Sequence, residues 1–178
     1  MSTAAHWIQE LENVSRDVER TFGPLDGETL HRKPEDGGWS IAECLEHLVV
    51  SNTSYFPIFQ QLTEGEFKTP LVGRIGLIRS FFGNLIFKSV ADGRKKKVKT
   101  FAIWEPRGGE GESEVVSDFL KHQAEFTEWI RRLEPWIQSE AVIHSPVSPM
   151  VVYTLPKGLE ILVAHEQRHV EQARLNLP

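Results

Sequence analysis

Apolar residues recur along this chain with helical spacing in several stretches. Trp7, Leu11, Val14, Val18 and Phe22 step by four, three, four and four, which stacks them on one face of a helix over residues 4–22. Gly23 and Pro24 stop that helix, and a loop rich in Gly, Pro and Asp runs on to Trp39. Ser40-Ile41-Ala42-Glu43 is a capping box, in which hydroxyl and carboxylate satisfy orphan backbone donors reciprocally. The second helix it opens runs to about Leu62 and buries Ile41, Leu45, Leu48, Asn52, Tyr55 and Phe59. Pro57 predicts a kink or early break within it. A third helix spans roughly 113–133, where Val116, Phe119, Leu120, Gln123, Phe126, Ile130 and Leu133 keep the helical period. A connection holding Pro146, Pro149 and Pro156 leads to the last helix, from about Pro156 to Leu175.

Residues 66–111 interrupt this series as an insertion between the second and third helices. Leu71 to Val90 is apolar all round apart from Arg74, Arg79 and Lys88, and reads as one or two short helices lying across the others. The basic run Arg94-Lys95-Lys96-Lys97-Val98-Lys99 then enters an irregular stretch ending near Gly111. Four principal helices without an alternating strand pattern predict an all-α fold, a four-helix bundle formed as one domain over 1–178.

Composition narrows the setting. A chain of 178 residues can bury a real core. A formal net charge of −5 gives no global electrostatic case for binding nucleic acid. Cys44 is the one cysteine, so no intrachain disulfide forms and a reducing cytoplasm is the natural compartment. The start, Met1 to Trp7, lacks the basic and apolar regions of a signal peptide. No apolar run approaches membrane-spanning length.

Chemistry concentrates in the histidines. His165 and His169 lie four apart on the last helix, one turn above the other on one face, so both imidazoles can reach a single ion. Ile161, Leu162, His169 and Gln172 fall within about 60° of His165 around the helix, which turns the pair toward the bundle. Burying two imidazoles costs free energy unless each is hydrogen-bonded or ligated. His47 flanks the apolar stripe of the second helix. If the second and last helices face each other, it closes a tripod of neutral nitrogens suited to Zn, Ni, Fe(II), Mn or Cu, with positions left open for water or substrate. The blander reading has a rim histidine and two residues on a solvated edge.

Two motif matches do not extend into known sites. His165-Glu166-Gln167-Arg168-His169 fits the zincin pattern, but nine residues follow His169 and none is a histidine to supply the third ligand. Glu166-x-x-His169 is half of a di-iron carboxylate site, and the second helix offers Glu43 and Glu46 without a matching Glu-x-x-His.

The run from Trp39-Ser40-Ile41-Ala42-Glu43 through His47-Leu48, paired with His165-Glu166-Gln167-Arg168-His169-Val170-Glu171-Gln172, resembles the DinB-like (YfiT-like) superfamily of metal-binding four-helix bundles. The resemblance covers most of the chain, since helix count, order and spacing also fit. It implies that His47, His165 and His169 ligate one divalent metal, nickel or zinc before iron or manganese. It also implies activities such as transfer of a low-molecular-weight thiol to an electrophile, thiol-dependent isomerisation, or metal-dependent hydrolysis. The insertion at 66–111 is larger than in compact members and reshapes the pocket.

These residues frame the expected function: a metal-dependent transferase or hydrolase acting on a small electrophilic substrate, with a low-molecular-weight thiol as the candidate co-substrate. The rival is a non-catalytic metal-binding or damage-response module working through protein contacts. Secondary candidates are Glu43, which either orients His47 or serves only as the capping partner of Ser40, and Gln172, pointing inward near His169. Glu166, about 100° from His165, is a candidate base but is expected to be solvated. Cys44 is expected to be a small core residue, and His122 a surface residue. His6, His31 and His144 show no partner pattern. The insertion helix is expected to bury its apolar residues against the bundle or a second subunit, a homodimer supplying the second surface most simply. Its basic neighbour is read as a solvated turn, with neither nucleic acid nor membrane as the expected partner.

Overall fold

The computed structural model describes residues 3–91, 100–106 and 114–178. Helix α1 spans Ala4–Phe22, as its period predicts. The following loop contains a short helix α2, Gly27–His31, begun where the Asp26 side chain accepts from the Thr29 amide. Helix α3, Ile41–Thr53, starts at the reciprocal Ser40–Glu43 capping box. It breaks at Ser54–Tyr55 and resumes as α4, Phe56–Thr63, with Pro57 in the first turn, where its missing N–H leaves no bond unmade. The insertion supplies a 3-10 turn, Leu71–Arg74, helix α5, Gly76–Ala91, and a second 3-10 turn, Ala102–Trp104. Helix α6 is Val115–Arg132, α7 is the short Glu134–Gln138, and α8 is Leu155–Arg174, capped by Thr154.

Around the bundle α1 packs on α6 and α8, and α3 packs on the same two, so α1 and α3 stand diagonally. The run Arg94 to Lys99 lies outside the described residues.

Two features correct the sequence reading. The proline-rich connection is a β-hairpin, β1 (Val142–Ser145) antiparallel to β2 (Ser148–Thr154), with Ile143 opposite Tyr153 and a bulge at His144/Ser145. Tyr153 is buried, and its hydroxyl meets that of Tyr55 at 2.7 Å, which pins the hairpin to the α3–α4 break. The expected burial of the apolar residues in α5 is met only in part: Ile78, Phe82, Ile86 and Phe87 are half-buried, and Gly83 is the helix's one buried residue. Helix α5 lies on β2 and α8, approaching so closely that a Cβ on Gly83 would stand 2.8 Å from Lys157 Cγ. The opposite face leaves Leu77, Phe81 and Leu85 exposed at 84%, 61% and 53%.

The interior divides into two apolar clusters. One gathers Trp7, Leu11, Phe59, Phe126, Ile130 and Leu162 around the hairpin end. The other gathers Val14, Val18, Leu45, Leu48, Phe119 and Val170 at the far end. Between them lies a polar layer donated by three helices, Asn52 of α3, Gln123 of α6 and Glu166 of α8. The three histidines sit beside this layer on α3 and α8.

Candidate metal centre

Helices α3 and α8 face each other, and this brings His47, His165 and His169 together. One ring nitrogen from each lies within 4.8 Å of the other two. Ring centroids are 4.5 to 4.9 Å apart. His47 and His169 are buried, whereas His165 keeps contact with solvent.

The ring of His47 is held from behind. Its Nδ1 stands 2.6 Å from the backbone carbonyl of Trp104. A carbonyl can only accept, so Nδ1 carries the proton and Nε2 presents its lone pair to the cluster. Trp104 is itself fixed, since its indole N–H donates to Ser54 Oγ at 3.0 Å. This is the role weighed above for Glu43. Glu43 instead accepts from the Ser40 amide at 2.8 Å and pairs with Lys33 at 2.5 Å, which accounts for both of its oxygens. Trp104 carries no sequence signal for this task, because the group it lends belongs to the backbone.

Trp39, immediately before the capping serine, forms one wall. Its ring lies 4.7 Å from that of His47 and 5.7 Å from that of His169, and its carbonyl accepts from Asn176 Nδ2 at 2.8 Å. Gln172 is half-buried and its side chain contacts His169. Cys44 is fully buried in the far apolar cluster, and desolvation pushes its thiol up to about 12. It is an inert core residue.

Burial sets the electrostatics. Desolvation holds the imidazole of His47 below its ordinary range, pushes that of His165 down to about 3 and drives that of His169 lower still. The neighbouring rings and the Arg168 guanidinium act in the same direction on both His165 and His169. At neutral pH the cluster is therefore three uncharged imidazoles, the state a ligand requires.

Glu166 differs from its expected solvated place. It is 0% exposed and accepts from Asn52 Nδ2 at 2.6 Å and from Gln123 Nε2 at 2.7 Å. Burial raises its carboxyl to about 7, against the lowering effect of the two amides. Both oxygens are committed within the core, so the geometry offers no free base there. His122 is likewise buried, stacked on Phe56 at 5.4 Å. It belongs to the aromatic cluster of α4 and α6 and is not one of the three grouped histidines.

The residues present fit a metal ion. Two nitrogens each about 2.1 Å from one ion stand about 3.0 Å apart at a right angle and about 3.4 Å apart at the tetrahedral angle. The Nε2 atoms of His47 and His165 are 3.1 Å apart. Among the described residues His169 Nδ1 is buried without a hydrogen-bond partner, so they leave its ring incompletely satisfied.

The sequence profile of the DinB superfamily matches residues 10–173. Among solved structures the chain is similar to YfiT from Bacillus subtilis, described as a probable metal-dependent hydrolase with an unusual four-helix bundle topology. The two share 17% identity at a TM-score of 0.64, over 99% of this chain and 87% of that one. At that identity the likeness establishes the fold alone. No curated relative matches the chain.

Proposed function

We propose that this chain, which belongs to the DinB superfamily, is a metal-dependent enzyme whose ligands are His47, His165 and His169. The carrying observation is the convergence of three imidazoles from two helices, with one ring nitrogen of each within 4.8 Å of the others. Three histidine ligands leave coordination positions open, which is the catalytic type of site rather than the closed structural one. A divalent cation held there, nickel or zinc before iron or manganese, supplies Lewis acidity to whatever lies beside it. The reaction we assign is thiol S-transfer to, or hydrolysis of, a small electrophilic substrate.

The protein's part is orientation and exclusion of water. The Trp104 carbonyl fixes the tautomer of His47, so no proton has to move before that nitrogen can ligate. Trp39 covers His47 and His169, while His165 stands on the solvent side, where a substrate reaches the cluster. Glu166 supports the layer beneath the site and is not assigned a proton-transfer role.

The test is metal analysis of protein purified without a histidine tag, followed by thiol-conjugation and hydrolysis assays with generic electrophiles. Stoichiometric metal that disappears in the His47→Ala and His169→Ala variants, together with turnover that follows the metal, supports the assignment. Metal without turnover in any assay selects the non-catalytic module. Failure of zinc, nickel, iron and manganese to bind refutes the centre.

A further inference from the structure

One charged side chain at the centre, Arg168, forms no ion pair among the described residues. Viewed down α8, His165, Gln172 and Arg168 span about 60° on the flank away from Glu166. All three are partly exposed, whereas His169 and Glu166, on the core side, are buried. The cluster therefore opens to solvent along the flank that Arg168 occupies. Its guanidinium has five N–H donors. Among the described residues its Nη1 donates to the Ser89 carbonyl of α5 at 3.4 Å, and it forms no ion pair with a carboxylate. That carbonyl satisfies one donor and neutralises no charge.

Resting on the metal reading above, we propose that the substrate of the three-histidine site carries a carboxylate that pairs with Arg168 while its other end meets the metal. The planar fork of a guanidinium matches a carboxylate through two parallel hydrogen bonds. A half-buried cation without an anion has incurred desolvation that a carboxylate offsets. Loading a divalent cation among three neutral rings beside Arg168 adds positive charge to positive charge, and an anionic ligand spanning the two relieves both. The bland alternative is that Arg168 only caps the last turn of α5, where Ser89 lies.

The experiment uses the full chain loaded with Co(II), whose visible spectrum reports thiol ligation. Two probes are titrated, 3-mercaptopropionate and 3-mercaptopropanol, which differ in the carboxylate. The readout is the ratio of their affinities, which cancels intrinsic differences in thiol binding. Arg168→Gln is expected to lower that ratio about ten-fold, the scale of one charge-assisted pair. Arg168→Lys is expected to keep part of the preference. An unchanged ratio in Arg168→Gln overturns the inference and leaves the metal centre standing, and a lower melting temperature alongside it marks Arg168 as a helix cap. Absence of cobalt binding by the wild type overturns both.

Discussion

Acidification tests the burial of His122 directly. The side chain is 6% exposed, stacks on Phe56 at 5.4 Å and leaves Nε2 without a partner among the described residues. Desolvation pushes its imidazole from 6.5 down to about 4. The unfolded chain therefore takes up a proton below about pH 6.5 that the folded chain refuses until about pH 4. Linkage then fixes the sign: this contribution to stability is fully present above pH 6.5, is lost as pH falls, and levels off below about pH 4. A ten-fold difference in proton affinity between the folded and unfolded chain corresponds to about 1.4 kcal/mol. Between pH 7 and pH 4.5 the loss from His122 is about 2 kcal/mol. A phenyl ring in the same slot has nothing to titrate, so His122→Phe removes this share of the slope. It also removes a buried unpaired nitrogen, worth about 1 kcal/mol at neutral pH. The assay is urea unfolding of both proteins at pH 7 and pH 4.5 with chelator present. Other histidines contribute equally to both proteins, so the difference between the two pH responses isolates residue 122. Parallel loss of stability in wild type and variant refutes the reasoning.

Four further outcomes are expected. His165→Ala should abolish metal binding while circular dichroism retains the helical spectrum, because the apolar core needs no metal to fold; helix lost along with the metal would contradict this. Trp104→Ala should weaken metal affinity about ten-fold by releasing the support behind His47, and 15N spectra of the metal-free protein should show His47 losing its Nδ1–H form. Gln123→Leu should strand Glu166 Oε2 in the core and cost about 2 kcal/mol in urea unfolding; no destabilisation would mean that the layer relaxes around the gap. We also propose that a second copy covers the free face of α5, so light scattering should detect self-association that Phe81→Ser with Leu85→Ser abolishes. A wild type that stays monomeric at high concentration would refute the dimer.

What the sequence reveals depends on whether a residue's partner is local. The limits of α1 follow from its own stripe, and the α3 start from a cap closed within four residues. The hairpin lacks such a signal: β1 has four residues, too few to show alternation, and prolines stand in the turn and in β2. Helix α5 is apolar on every side, which predicts cover on every side, yet among the described residues its cover comes chiefly from the hairpin and α8. The tripod is legible because His165 and His169 share a helix face and His47 lies beside a stripe that must turn inward. Trp104 is not, since a backbone acceptor in an irregular segment has no side-chain signature.

The buried place of Glu166, against its expected solvation, carries the wider point about this bundle. Leu155, Leu159, Leu162, Val170 and Ala173 are all buried on α8, and Glu166 occupies the step between Leu162 and Val170. Position alone predicts burial, while the carboxylate argues for solvent. The conflict resolves through Asn52 and Gln123, which occupy equivalent core positions on α3 and α6. Each polar residue would be an error in isolation; Glu166 is tolerated because both amides reach it, and each amide because its N–H group reaches Glu166. A carboxylate that accepts from two particular amides fixes how α3, α6 and α8 are set along one another, as a continuous apolar core would not. His47 lies five residues before Asn52, and His165 and His169 flank Glu166 on α8. A layer that locks α3 against α8 therefore also sets the separation of the three imidazoles, and ligand geometry depends on that separation.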